Sequence, residues 1–400
     1  MAKLLFLNIP AFGHVNPTLP VVTELVRRGH HVIYFNADTF EQVISETGAE
    51  FCAYPNSSAS EADFAKRASN LVNISILTLE ESIRLLPFLL DRIDREKPDL
   101  VIFDSIALWG MLATRLRKVH SAASISTMIS EGVPGILKWR DYPHIFRLAF
   151  RQFPGLIRLR GQLVKTYGSD IFPDSSILPC KGDINIVYTS REFQPATPYI
   201  DGSFHFVGPS ILAATRKEID FPWDLLDPKR TKIYVSLGTI YNQNIEFYRT
   251  AFRAFADHPA QFILSIGRLV DTHELGHIPG NFIIQPSVPQ LALLQKVDLF
   301  ITHGGMNSIN EGLNYGVPLV VVPQQIEQAM NGRQVDRQRA GIVLADTPPY
   351  GHIEAAVLRR AVDSVLADPI YRLNAERLGR SFHEAGGYQQ AATALTSRLG

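Results

Sequence analysis

Residues 298–323, DLFITHGGMNSINEGLNYGVPLVVVP, set two very apolar strings around a stretch crowded with glycines, hydroxyls and amides. The first string predicts a buried strand ending in Thr302-His303-Gly304-Gly305, and the last, from Pro318 to Pro323, predicts another. Between them a helix is expected to begin near Asn307 or Ser308. Strand, helix, strand in this order is a parallel α/β unit. Two consecutive glycines let the backbone approach a ligand with no Cβ in the way. A helix start adds unpaired N–H groups and the positive end of a dipole, which together suit a phosphate. His303 and Ser308 can supply side-chain hydrogen bonds, while Glu311, one turn on, better suits a sugar diol as acceptor. A plain strand–turn–helix connection would read the same way, so this stretch alone leaves both meanings open.

Moving outward, TKIYVSLGT (231–239) repeats the pattern, with Ser236-Leu237-Gly238-Thr239 as a second small-residue turn after a strand. Two such turns at strand ends fit a nucleotide-diphosphate crevice. Neither carries the GxxxxGK[ST] spacing of an ATP-hydrolysing loop or the GxGxxG dinucleotide pattern. After the strand at 318–323 comes Gln324-Gln325-Ile326-Glu327-Gln328, where a carboxylate beside an amide can grip several hydroxyls of a hexose. QFILSIG (261–267) and NFIIQP (281–286) complete the strands of this half, and helices are expected from about 352 to 398.

The first half has the same grammar. KLLFLNI (3–9), HHVIYFNA (30–37), PDLVIFD (98–104), NIVYTS (185–190) and SFHFVGP (203–209) read as strands among helical patterns. The polar, proline-bearing stretch 210–230 reads as a linker. The expectation is α/β: two Rossmann-like, doubly wound domains facing across a cleft, 1–209 and 231–385, with 386–400 as a terminal helix. Between the first strand and its helix lies Gly13-His14-Val15-Asn16-Pro17. A histidine there can take a proton from an attacking hydroxyl if an acceptor orients its other ring nitrogen. Asp104, at the end of PDLVIFD, is the candidate, because strand ends gather on one side of a parallel sheet.

Composition narrows the function. Of 400 residues, 46% are hydrophobic and 20% charged, with 39 basic against 39 acidic, so no charge excess points to nucleic acid. Cys52 and Cys180 have no metal-binding spacing and suit reduced thiols of a cytoplasmic protein. MAKLLFLNIP reads as a first strand, not an export signal, and no 18-residue apolar run predicts a membrane span. Residues 145–165 form a basic amphipathic stretch, better suited to covering a ligand cleft than to touching a membrane. The apolar residues around 60–90 and 125–165 could wall a bulky, sparsely hydroxylated ligand or simply be core.

The chain resembles the bacterial macrolide-type branch of the family 1 glycosyltransferases, which also contains flavonoid- and phenol-glucosylating enzymes. The resemblance runs from GHVNP (13–17) and LVRRGHHV (25–32) through SLGT (236–239), and is strongest over 287–331. There SVPQLALL, DLFITHGGMNSINEGLNYGVPLVVVPQQIEQ and the following MN match the nucleotide-sugar box of that family. It implies a GT-B fold with the acceptor mostly on the N-terminal domain, the donor mostly on the C-terminal one, and the last helix, 386–400, crossing back to pack on the N-terminal domain. It further implies His14 as catalytic base and Asp104 as its orienting aspartate. His303, Gly305, Asn307 and Ser308 would bind diphosphate, with Thr239 and the Ser236 turn adding to them. Glu311 would accept from the ribose, and Glu327 with Gln328 would hold glucose. Val288, beside Pro289 and Gln290, sits where backbone pairs with the uracil edge. Ser287 stands where many members carry a tryptophan that stacks on uracil.

The expected reaction is inverting transfer of a hexose, foremost glucose from UDP-glucose, with another UDP- or TDP-hexose possible, to a hydroxyl of a flavonoid, other phenol or macrolide. No permanently bound cofactor and no metal are expected, since no aspartate pair adjoins the phosphate turns. The expected state is a monomer or weak dimer. A GT-B sugar-nucleotide epimerase or hydrolase, and a non-catalytic nucleotide-sugar-binding protein, are the alternatives.

Overall fold

The computed structural model describes all residues except 56–58, 61–62, 65–66, 68–70, 174–177, 239–241, 398 and 400. The chain divides into two compact units. Unit 1 comprises 1–132, 143–215 and 385–400; unit 2 comprises 133–142 and 216–384.

In unit 1 the elements are β1 (Lys3–Leu7), α1 (Phe12–Val15), α2 (Thr18–Arg27), β2 (His31–Asn36), α3 (Glu41–Ser45), β3 (Glu50–Ala53), α4 (Leu71–Glu96), β4 (Leu100–Asp104), α5 (Leu108–Arg117), β5 (Ser121–Ile125), α6 (Tyr142–Tyr167), β6 (Ile184–Val187) and β7 (Phe204–Phe206). The seven strands form one parallel sheet in the order β3-β2-β1-β4-β5-β6-β7. Alternate residues of β1 serve opposite faces, which is why its sequence is apolar without interruption. Leu5 and Leu7 join a cluster with Phe103 and Trp109, whereas Leu4 and Phe6 join one with Tyr34 and Ile102.

In unit 2 the order is β8 (Lys232–Ser236), α7 (Ile245–Phe255), β9 (Gln261–Ser265), β10 (Phe282–Gln285), α8 (Gln290–Leu294), β11 (Leu299–Thr302), α9 (Met306–Asn314), β12 (Leu319–Val321), α10 (Ile326–Arg337), β13 (Gly341–Val343), α11 (Ala355–Ala367) and α12 (Pro369–Glu384). Its six strands are also parallel, in the order β10-β9-β8-β11-β12-β13. Both sheets reverse direction of winding beside their first strand, and ligands of such sheets gather at the carboxyl ends of the strands there. These are the two Rossmann-like sheets of a GT-B fold.

A last helix, α13 (Gly387–Thr396), belongs to unit 1 although its sequence follows unit 2. Ala391, Ala392 and Leu395 enter the cluster that holds Leu19 and Val22 of α2. Arg28 donates to Thr393 Oγ1 and the Gln389 carbonyl, each at 3.0 Å.

Candidate active site

In unit 1 the chain leaves β1 through Asn8 and turns into the single helical turn of α1. Buried hydrogen bonds fix this loop: Asn8 donates to the His14 carbonyl at 3.2 Å and to the Tyr34 hydroxyl at 2.7 Å. Thr18 Oγ1 donates to the Val15 carbonyl at 2.8 Å and meets the same Tyr34 hydroxyl at 2.7 Å. Pairing of Leu7 with Phe103 puts the end of β4 level with this loop. His14 Nδ1 consequently lies 2.7 Å from Asp104 Oδ2, with the carboxylate fully buried and the ring largely so. Asp104 Oδ1 accepts from the Ile106 N–H at 2.8 Å, which fixes the carboxylate plane.

A carboxylate can only accept, so the proton between them sits on Nδ1, and Nε2 is the basic nitrogen of the ring. Ser126, one residue beyond β5, brings its Oγ to 3.0 Å from the same Nδ1. The sequence reading missed this third member. Its only signal is the strand before it, Ser121-Ala122-Ala123-Ser124-Ile125, whose small residues do not announce a central strand.

In unit 2 the two glycine turns meet around one imidazole. A Cβ on Gly238 would stand 2.5 Å from His303 Cε1, and one on Gly305 would stand 2.5 Å from His303 Nε2. Both positions thus require glycine for the ring to be where it is. Gly304, at φ +90°, packs against the Gln328 carbonyl, where a Cβ would come within 2.9 Å. His303 takes its place through its own N–H, which donates to the Ser236 carbonyl at 3.3 Å. Desolvation lowers the imidazole pKa to about 4, so the ring is neutral at pH 7. Its buried Nδ1 has no hydrogen-bond partner among the described residues.

Helix α9 starts at Met306, slightly earlier than the sequence suggested. Its cap residue is Gly305, no side chain caps it, and no acidic residue occupies its first turn. Asn307 and Ser308, partly exposed, lie in that turn. An uncapped helix start beside a neutral histidine donor is a fitting seat for diphosphate oxygens. Ser236 contributes its carbonyl to His303, while its Oγ accepts from the Gly238 N–H at 3.2 Å. Thr239 lies outside the described residues.

Beyond β12, Glu327 and Gln328 open α10. Gln328 Oε1 accepts from the Gln324 N–H at 2.8 Å. Asn331, also missed as a site residue, donates to the Gly304 carbonyl at 3.0 Å and to Glu327 Oε1 at 3.2 Å. It thereby ties the carboxylate to the glycine turn. On the other side of α9, Glu311 receives Arg216 Nη2 and Gln290 Nε2, each at 2.6 Å. Val288 is buried just ahead of α8, and Ser287 beside it is partly exposed. Among the described residues no group of three or more His, Cys, Asp or Glu is arranged to hold a metal ion.

The family model for UDP-glucoronosyl and UDP-glucosyl transferase matches residues 223–386, which contain all of these unit 2 groups except Arg216. The chain is 33% identical to the NDP-glycosyltransferase YjiC of Bacillus subtilis, over 97% of this chain and 95% of the relative. The chain belongs to this glycosyltransferase family. It is also 34% identical to the YjiC protein of Bacillus licheniformis, over 98% of this chain and 96% of that one. Among solved structures, the glycotransferase of kitacinnamycin superposes with a TM-score of 0.83 at 27% identity, covering 100% of this chain and 99% of the other. This glycosyltransferase is therefore an enzyme that uses a nucleoside-diphosphate sugar and a small acceptor. No helix among its described residues is long and apolar enough to cross a membrane.

Proposed function

We propose that this glycosyltransferase moves a hexose, foremost glucose from UDP-glucose, onto a hydroxyl of a small apolar acceptor with inversion at the anomeric carbon and without a metal ion. The observation that carries the reading is the 2.7 Å His14–Asp104 pair, a base already oriented on one nitrogen. His14 Nε2 takes the acceptor's proton as the acceptor oxygen bonds to the anomeric carbon. The carbon–oxygen bond to the diphosphate breaks in the same step, and its electron pair leaves on the diphosphate. Asp104 stabilises the imidazolium that results. The departing charge is received by His303, by Ser308 and by the N–H groups at the start of α9. Glu327 and Gln328 hold the sugar hydroxyls, Glu311 the ribose and the Val288 backbone the base. Oxygen nucleophiles on phenols or macrolides fit this chemistry.

The test is a mass-spectrometric assay of the purified protein with UDP-glucose, UDP-galactose or TDP-glucose. Each is supplied with a panel of phenolic acceptors, with a chelator present and no metal added. Glycosylated product from UDP-glucose is expected. His14→Ala should cut transfer to an alcohol acceptor by about 10²–10⁴-fold while leaving UDP binding close to that of the parent. Unchanged turnover in His14→Ala would remove the base assignment. UDP release without glycosylated product would mark a hydrolase instead.

A further inference from the structure

We infer that Arg216 is a positioning residue for the donor's ribose and sets the enzyme's preference for a 2′-hydroxyl, an inference that rests on reading Glu311 as the ribose acceptor. Arg216 lies at the start of unit 2, in a stretch that by sequence is only a polar linker. Its Nη2 sits 2.6 Å from Glu311 Oε1, and the Glu311 side chain is 5% exposed. A carboxylate buried to this degree needs a countercharge, and removing one partner of such a pair leaves a charge that the fold cannot solvate. Arg216 supplies that countercharge from a side chain 27% exposed, so it reaches the buried oxygen from the surface.

The other oxygen is held from the opposite side. Gln290 Nε2 donates to Glu311 Oε2 at 2.6 Å, and Gln290 Oε1 accepts from the Tyr234 hydroxyl at 2.9 Å. The amide orientation is forced, because a carboxylate accepts only and the phenol donates. Tyr234 is itself held by stacking on Phe300, with ring centroids 4.5 Å apart. A carboxylate has roughly four lone-pair sites. Arg216 and Gln290 occupy one on each oxygen, and the two that remain match the two hydroxyls of a ribose. A nucleotide lacking the 2′-hydroxyl leaves one of them unfilled. With Arg216 gone, the carboxylate loses both its charge partner and the contact that fixes its plane, and the discrimination should go with them.

The test is titration calorimetry of UDP and 2′-deoxy-UDP with the parent, Arg216→Gln, Arg216→Lys and Glu311→Gln proteins and the double variant Arg216→Gln with Glu311→Gln. The parent is expected to bind UDP about tenfold more tightly than the deoxy form, from one hydrogen bond to a charged group. Both Glu311→Gln and Arg216→Gln should bring the ratio to within about twofold. Arg216→Lys, which keeps the charge but not the planar fork, should fall between. The double variant should lose no more than either single one, as two groups acting through one contact do. The ratio is measured within one protein sample, so partial unfolding lowers both ligands alike, and Arg216→Lys carries the test should Arg216→Gln fail to fold. A parental ratio in Arg216→Gln beside a collapsed one in Glu311→Gln overturns the role of Arg216 and leaves the ribose reading standing. A parental ratio in Glu311→Gln, or no preference in the parent, removes the ribose reading and this inference with it.

Discussion

The two candidate histidines are held in different ways. His14 sits beside a buried carboxylate that orients its ring. His303 is desolvated between two glycines, and its pKa falls to about 4. Below the unfolded value of about 6.5, protons bind the unfolded chain in preference to the folded one. The stability that His303 contributes is therefore complete above pH 6.5 and is lost as pH falls towards 4. Thermal melts of the ligand-free protein between these pH values should show a shallower decline for His303→Gln than for the parent. Equal slopes would mean that the ring is not desolvated as described. At this scale the residue types were legible: a histidine after β1, an aspartate closing β4 and a histidine before two glycines each suggest chemistry. Ser126 and Arg216 were not, because neither a lone serine nor a linker arginine carries a local signal; each gains its meaning from what lies across a sheet or a helix.

At the scale of elements, long apolar strings gave away the central strands β1, β4, β8 and β11, buried on both faces. The strands that sequence did not announce are short or built of small residues. β5 is Ser-Ala-Ala-Ser-Ile and fully buried. A Cβ on Gly182, just ahead of β6, would come within 2.9 Å of the Ala122 and Ala123 backbones, so the chain passes close to β5 there. Serine and alanine carry little apolar surface, so a buried strand built from them gives no strong hydrophobic signal. The glycine turns are the counterpart, where tight approach is announced by sequence. Gly238, at φ +78° and against the His303 ring, joins the two turns proposed to hold the diphosphate. Gly238→Ala should weaken UDP binding by about tenfold or more, from backbone strain together with displacement of the ring. Calorimetry measures this directly, and parental affinity would dissociate the two turns.

On the scale of the molecule, chain order and structural membership differ at two places. Residues 133–142 follow strands of unit 1 yet pack within unit 2, where the Asp141 carboxylate meets Arg333 Nη1 at 2.7 Å, both side chains buried. Arg333 lies on α10, the helix that begins with the proposed sugar-holding pair, and also bonds Asp346. Helix α13 follows unit 2 but completes the core of unit 1. Leu395 is 1% exposed in that core, so Leu395→Ala should cost about 2–4 kcal/mol. Denaturant unfolding followed in unit 1 should register the loss, whereas a change within about 0.5 kcal/mol would mean that α13 adds no core.

By itself the sequence determined the α/β class, the two parallel sheets, and the glycine turns and strand-end residues that are candidates for a diphosphate seat and a base. Each of these is written in local periodicity or in a residue type at a strand end, and those signals survive without knowledge of what lies opposite. Only the tertiary structure decided which groups hold the site residues in place. Asp104 reaches His14 because β4 pairs beside β1, and Ser126 joins them because β5 pairs beside β4. Arg216 and Gln290 converge on Glu311 from 95 and 21 residues away in sequence. Contacts across such distances are set by sheet order and helix packing, which no single stretch of chain encodes.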